Sequence, residues 1–347
     1  MEMESRKEGE QLPRTRLHRS GLEISQISFG CSSIGNLYQE ISEEAAHEVL
    51  QAAWDAGIRY FDVSPFYGFG LAEQRLGRFL AGKKGEDYVV STKAGRSLIP
   101  VDPADVPKSS FVNPLPYAPG FDYSYDGLMR SFEATKQRMP DNSVDILYIH
   151  DIGERIHGPE ENAKHVKLFL DGGLRAVEEI KKYEGLKSVG LGVNEVEICI
   201  DLAERADLDL FLLAGRYTLL DRRAEPKLLP MCQERNMQLV IGGVYNSGIL
   251  ATGAKNDAHF DYKPAPDEVV ARVKGIEAVC NKYDVPIASA SLQFPRNHPA
   301  VASVLIGTGK VSSLQRSLRG LEDAVPPALW QECDAIARAD GGIQLGK

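Results

Sequence analysis

The chain has 347 residues, 43% hydrophobic and 26% charged, and a formal net charge of −9. That length buries a large core without staples, and the acidity argues against broad binding to nucleic-acid phosphates or to an anionic membrane surface. Cys31, Cys199, Cys232, Cys280 and Cys333 include no CxxC pair, so structural zinc and a disulfide framework are not expected, and a reducing, cytoplasmic setting is.

Residues 1–11 are charged, lack an apolar core and read as a disordered tail before a single domain over 12–347. Strand and helix patterns then alternate. A strand over Ile24–Gly30 precedes a helix over Glu43–Ala56, with Ser42 as N-cap and Gly57 as stop. Strand Arg59–Val63 precedes helix Ala72–Leu80. Strand Tyr88–Thr92 is followed, after a long break, by helix Tyr125–Arg138. Strand Val144–His150 precedes helix Gly173–Tyr183, and strand Ser188–Val193 precedes helix Val196–Arg205. Strand Leu208–Leu213 precedes helix Glu225–Arg235, and strand Gln238–Val244 precedes helix Asp267–Tyr283. Strand Val301–Ile306 and helices Ser312–Leu321 and Pro327–Arg338 close the chain. Eight such pairs imply parallel strands joined by crossover helices, and in this length they predict a (β/α)8 TIM barrel. No apolar run reaches a membrane span.

Two long loops interrupt the pattern. Gly95 to Tyr123 is rich in proline and carries Phe111, Tyr117 and Phe121; it leaves the strand that ends at Lys93 and is expected to be a lid. Asn246 to Pro266 separates the seventh strand from its helix.

The chemistry concentrates at three strand ends. Phe61-Asp62-Val63-Ser64-Pro65-Phe66-Tyr67-Gly68 places an acid at the end of one strand and a tyrosine in the loop after it. The next strand runs into Lys93 and the following one into His150. A tyrosine ordinarily titrates near 10, and an adjacent ammonium group lowers that value. Asp62 would hold Lys93 charged and aimed, and His150 would orient a substrate oxygen. The set suits proton exchange with an oxygen whose carbon gives or accepts a hydride.

Three other motifs are weaker. Gly190-Leu191-Gly192-Val193-Asn194-Glu195 has Glu where a dinucleotide fingerprint needs glycine and follows the fifth strand. Gly307-Thr308-Gly309-Lys310 departs from a P-loop at Val304 and Val311, yet precedes a helix start that suits phosphate. His157 and His165 have no metal-ligand spacing and read as solvated loop histidines.

These motifs resemble the aldo-keto reductase superfamily from Leu17 to about Arg338. The resemblance rests on Asp62 to Gly68, Ala72-Glu73, Leu76-Gly77, Ser91-Thr92-Lys93 and Ile149-His150-Asp151. It implies a nicotinamide dinucleotide extended across the strand C-termini, with NAD favoured and NADP the alternative. Tyr67 would be the acid/base, Lys93 its partner, Asp62 the partner of Lys93 and His150 the substrate orienter. Cofactor contacts fall on Asn194, Tyr245, Asn246, Ser247, Gly248, Gly307, Thr308, Gly309, Lys310, Ser313 and Ser317. The usual Gln of the sixth strand is replaced by Ala214, and the nicotinamide-stacking Tyr of the seventh by Gly242. Lys93-Ala94-Gly95-Arg96, Arg216-Tyr217-Thr218-Leu219-Leu220-Asp221 and Gly243-Val244-Tyr245-Asn246-Ser247-Gly248 resemble the branch of D-threo-aldose (L-fucose) 1-dehydrogenases and pyridoxal 4-dehydrogenases. That branch implies a small-molecule substrate: an aldose of the L-fucose, D-arabinose or L-galactose type oxidised to a lactone, or pyridoxal. General NADPH-linked aldehyde reduction and a channel β-subunit-like regulatory role are the more distant readings.

Overall fold

The computed structural model describes residues 12–83, 87–140, 142–255 and 257–343; the tail expected over 1–11 lies outside them. Eight strands form a closed barrel: β1 (Ile27–Gly30), β2 (Tyr60–Asp62), β3 (Val89–Ala94), β4 (Ile146–His150), β5 (Ser188–Val193), β6 (Leu210–Ala214), β7 (Gln238–Gly242) and β8 (Val301–Ile306). Each pairs in parallel with its neighbours in sequence, and β8 closes on β1 through Val304↔Ile27, Leu305↔Ser28 and Ile306↔Phe29. This is the (β/α)8 barrel that the alternation predicts.

Local signals set several helix starts. Ser42 accepts the Ala45 amide at 3.1 Å and opens the helix Glu43–Asp55; Ser124 accepts the Gly127 amide at 3.1 Å and opens Tyr125–Arg138. Buried Glu73, on the helix Leu71–Ala81, accepts from Thr92 of β3 at 3.0 Å and from Thr135 at 2.8 Å, and pairs with Arg138. This network fixes one side of the helical layer to the strand that carries Lys93.

The barrel interior has its own apolar cluster. Tyr60, Val89, Ile146, Tyr148, Leu210, Leu212, Val240 and Ala302 pack there against Leu17 and Ile24. Ile24 belongs to an antiparallel hairpin, Arg14–Arg16 with Glu23–Ser25, which lies ahead of β1. The expected strand over Ile24–Gly30 is therefore two elements. Ile24 packs into the barrel interior, while Ile27 and Phe29 pack against the helices.

Other elements differ from the sequence expectation. The Gly95–Tyr123 segment contains a second antiparallel hairpin, Arg96–Pro100 with Tyr117–Phe121. Its prolines sit at Pro100 and Pro119, positions that leave the pairing intact. A helix over Glu154–Leu168 carries His157 and His165, with Gly158 at φ 71° and Pro159 interrupting its apolar period. Both histidines are part-buried, in contact with each other with tilted rings and centroids 4.3 Å apart, and packed against Tyr123, which corrects their reading as solvated loop residues.

Gly190 has a packing role. A Cβ there would stand 1.9 Å from the Leu210 carbonyl oxygen on β6. Gly190→Ala should therefore lower stability by about 1–3 kcal/mol or more, read as a fall in Tm by circular dichroism. An unchanged Tm would show that β5 and β6 separate without penalty.

Candidate active site

Asp62 ends β2, Lys93 stands one residue before the end of β3, and His150 ends β4. Tyr67 lies in the turn after β2, where its amide donates to the Ser64 carbonyl at 3.0 Å. Gly68 has φ 65°, and a Cβ there would lie 2.5 Å from the Gly35 carbonyl oxygen. Only glycine allows the Tyr67 turn to lie against the loop after β1. Geometry thus brings together all four residues that the sequence singles out.

The Lys93 ammonium donates to Asp62 Oδ2 at 2.6 Å and to the Val63 carbonyl at 3.0 Å. Ser91 donates to Asp62 Oδ1 at 2.7 Å. Asp62 is fully buried and Lys93 is 2% exposed. Burial works against the Lys93 charge, but Asp62 and Tyr67 outweigh it and hold the amine above its ordinary range. Burial pushes the Asp62 carboxyl up, against the pull of Lys93 and Ser91.

The Lys93 ammonium lies 4.7 Å from the Tyr67 ring centroid. It pulls the phenol downward, as expected, yet burial is the larger effect and the Tyr67 hydroxyl is pushed up to about 12. The expectation of a net depression is corrected: Lys93 limits the rise rather than reversing it.

His150 is 6% exposed, and burial lowers its pKa to about 3. It is a neutral imidazole at any working pH. Its Nδ1 lies 3.1 Å from Ser64 Oγ, and its Nε2 lies 3.6 Å from Asp151 Oδ2. Tyr123 donates to the His150 carbonyl at 2.8 Å, and Arg96 donates to Asp151 at 2.5 Å. The Arg96 guanidinium stacks 3.3 Å from the Phe66 ring centroid. The second hairpin, which begins at Arg96, is thus rooted directly beside His150.

The family model described as the aldo/keto reductase family matches residues 26–338. The chain belongs to the aldo/keto reductase family. It is 42% identical to the pyridoxal 4-dehydrogenase of Microbacterium luteolum over 90% of this chain and 94% of that protein. It is 36% identical to a D-threo-aldose 1-dehydrogenase of Pseudomonas sp. over the same shares. In structure it is similar to an aldo-keto reductase from Bacillus halodurans in its holo form, with a TM-score of 0.75 at 20% identity over 96% of this chain and 98% of that one. The protein is an oxidoreductase of the dehydrogenase branch that the sequence motifs resemble, and family membership brings a nicotinamide dinucleotide as cofactor.

The residues expected to hold that cofactor lie after β5, β7 and β8. Asn194 follows β5, half-buried; its side chain donates to the Tyr262 hydroxyl at 3.4 Å and its carbonyl accepts from Arg216 at 2.7 Å. Asn246 is buried, and its side chain is committed within the protein, accepting from Thr218 at 2.6 Å and donating to the Gly215 carbonyl at 3.1 Å. It shapes the loop rather than presenting a free amide. Tyr245 donates to Ser317 at 3.3 Å, joining the loop after β7 to the last barrel helix. Ser247 is exposed and accepts from the Tyr262 amide at 3.0 Å; Gly248 has φ 96°.

Gly307 is exposed at the end of β8, and the Lys310 amide donates to Thr308 at 3.1 Å. The helix Val311–Arg319 then opens without a side-chain cap, with Gly309 and Ser313 part-buried around its start and Ser317 part-buried further along it. An uncapped helix start preceded by glycines fits an anionic diphosphate or a phosphorylated ribose. The donor set therefore suits the cofactor.

Several site residues escaped the sequence reading. Arg216 is 3% exposed and, besides Asn194, donates to Asp261 at 2.8 Å. Arg155 donates to the other Asp261 oxygen at 2.7 Å. Asp261 thereby ties the loop after β7 to the ends of β4, β5 and β6. The available signal was a charged residue, Arg216, two positions after an apolar strand.

Two outcomes follow from the Tyr67 environment. Tyr67→Phe should lower turnover by roughly 10²–10⁴-fold and leave cofactor affinity, read by fluorescence quenching, unchanged. With the phenol near 12, its tyrosinate fraction grows about tenfold per pH unit below that value. Oxidation by the wild type should accordingly climb with pH through the alkaline range, and Lys93→Met should displace the climb to still higher pH. A wild-type profile flat above neutrality would remove Tyr67 as the base.

Proposed function

We propose that the protein is an NAD-dependent dehydrogenase that oxidises the anomeric carbon of an aldose of the L-fucose, D-arabinose or L-galactose type to a lactone. The observation that carries this reading is the buried Asp62–Lys93 pair beside Tyr67 and His150 at the barrel mouth, in a chain 36% identical to a D-threo-aldose 1-dehydrogenase.

Free aldoses are mostly closed rings, so the carbon open to oxidation carries the anomeric hydroxyl. When bound, the nicotinamide dinucleotide supplies the hydride acceptor. The protein's own work is on the oxygen. Tyr67, as tyrosinate beside Lys93, takes the hydroxyl proton at its phenolic oxygen. Lys93 stabilises that tyrosinate, and Asp62 keeps Lys93 charged and aimed. Neutral His150 holds the same oxygen by a hydrogen bond. Loss of a proton from the oxygen and of a hydride from the carbon leaves the lactone carbonyl, so atoms and electrons balance. The hairpin rooted at Arg96, with Phe121 beside the guanidinium, is placed to exclude water from one side of the ring.

A second reading, oxidation of pyridoxal to its 4-lactone, is favoured by the 42% identity to a pyridoxal 4-dehydrogenase. Pyridoxal also closes into a cyclic hemiacetal, and the same residues would serve. NAD is favoured over NADP because the aligned 2′-phosphate positions hold Gly307 and Ser313, with Ser317 further on, rather than the planar guanidinium that grips a phosphate bidentately. Lys310 is exposed just before that helix and Arg316 is exposed in its last turn.

Steady-state assays that follow the reduced cofactor over a panel of aldoses, pyridoxal and simple aldehydes should give a lactone from an aldose, identified by mass. Brisk oxidation of pyridoxal with inert sugars would install the second reading, and reduction of simple aldehydes alone would sink both. In the same assays kcat/KM should be higher with NAD; a clear NADP preference would mean that Lys310 or Arg316 reaches the 2′-phosphate.

A further inference from the structure

We infer that Ser64 is a positioning residue that fixes the tautomer of His150, so that Nε2 carries the proton it would donate to the reacting oxygen. The inference rests on the dehydrogenase reading and adds to it a residue outside the four named above.

Ser64 is fully buried in the turn between Asp62 and Tyr67. Its hydroxyl accepts the Phe66 amide at 3.1 Å, and its other contact is His150 Nδ1 at 3.1 Å. A hydroxyl has one proton to donate. Among the described residues, the acceptor recorded for that proton is His150 Nδ1. Were Nδ1 protonated instead, Ser64 would accept twice and its own buried proton would have no acceptor, which is unfavourable. Nδ1 therefore carries a lone pair.

The opposite side of the ring favours the same tautomer through a longer and weaker contact. His150 Nε2 lies 3.6 Å from Asp151 Oδ2, and Asp151 is held in a left-handed backbone conformation, φ 55°, directly after His150. A lone pair on Nε2 would face a carboxylate; an N–H there is attracted to it. Asp151 is kept in place by Arg96. Two contacts on opposite ring nitrogens thus select one tautomer of a neutral imidazole.

The functional consequence is directional. With the proton on Nε2, His150 donates to the substrate oxygen as that oxygen loses its proton to Tyr67 and its negative charge grows. With the proton on Nδ1, His150 could only accept, and the developing charge would meet a lone pair. Ser64 touches neither substrate nor cofactor in this scheme; it acts through His150.

The test is nitrogen NMR on protein labelled at histidine, with the His150 signals assigned by their loss in His150→Asn. Wild-type protein should show a pyridine-type Nδ1 and a pyrrole-type Nε2 that do not titrate through neutral pH. In Ser64→Ala the two-bond coupling pattern should shift toward a tautomer mixture, and kcat for the oxidised substrate should fall by roughly 3- to 10-fold, with cofactor affinity unchanged. Ser64→Thr, which retains the hydroxyl, should restore both the spectrum and the rate. A pyrrole-type Nδ1 in the wild type overturns the inference without any variant. So does a Ser64→Ala protein whose His150 spectrum matches the wild type, whatever its rate. Absence of dehydrogenase activity on every substrate would instead defeat the proposed function, leaving the tautomer measurement standing.

Discussion

The site depends on keeping two opposite charges, Asp62 and Lys93, inside a closed barrel. Taking such a pair out of water is costly, and the attraction repays it only when the remaining lone pairs and protons are also satisfied. Here they are. Asp62 receives Lys93 on one oxygen and Ser91 on the other, while Lys93 also donates to Val63. Behind Ser91, Tyr60 donates to its hydroxyl at 3.1 Å and stands 3.0 Å from the Tyr148 hydroxyl. Tyr60 and Tyr148 are the upper members of the apolar cluster that fills the barrel. Their rings belong to the core and their hydroxyls to the active site.

Strand periodicity supplies this arrangement directly. Side chains alternate along a strand, so Ser91 and Lys93 share the inward face of β3 and Thr92 turns outward to Glu73 on the helix behind. Register sets the rest: Asp62 pairs with Ser91, two residues short of Lys93. The lysine reaches back along the barrel to meet the acid, which leaves its ammonium beside the Tyr67 ring. On the far side a Cβ at Gly192 would lie 3.3 Å from the Lys93 Cε carbon and 3.3 Å from the Tyr148 Cβ, so glycine there leaves room for the lysine stem. The glycines of Gly190-Leu191-Gly192, which resemble a nucleotide motif in sequence, serve packing within the barrel.

What the sequence makes legible follows from what each pattern encodes. Parallel strands buried on both faces are continuous apolar runs bounded by turn residues, and these located all eight strands, with β5 and β8 at their observed bounds. Asp62, Lys93 and His150 were visible because each ends or nearly ends such a run with a charge or a ring nitrogen, and Tyr67 because it lies in the turn directly after one of them. Ser64 and Tyr60 were not, since serine after a strand reads as a turn former and tyrosine within a strand as packing. The two hairpins escaped for opposite reasons. Glu23–Ser25 overlaps the start of the single strand expected over Ile24–Gly30, and Arg96–Pro100 with Tyr117–Phe121 was masked by prolines that suit its edge positions. The helix Glu154–Leu168 was hidden by Gly158 and Pro159, which break its period.

The mouth of the barrel is asymmetric, and the asymmetry explains why its two halves were unequally readable. On the β2–β4 side, function sits in side chains whose protons are directed: Lys93 to Asp62, Arg96 to Asp151, Tyr123 to the His150 carbonyl. Such residues have chemical identities that a sequence displays. On the β5–β8 side, much of the surface is defined by side chains that are missing. Gly242 and Ala214 end β7 and β6 with no side chain beyond a methyl, and Gly215 and Gly243 adopt φ of 70° and 61° with their backbones in close approach. Loops there are held from behind, by Arg216 through Asn194 and Asp261 and by Asn246 through Thr218 and Gly215. A flat, extended ligand needs room and backbone amides more than particular side chains. The half that holds Asp62, Lys93 and His150 is therefore specified by residue type and the half proposed for the cofactor by backbone shape, and only the first is written plainly in a single sequence.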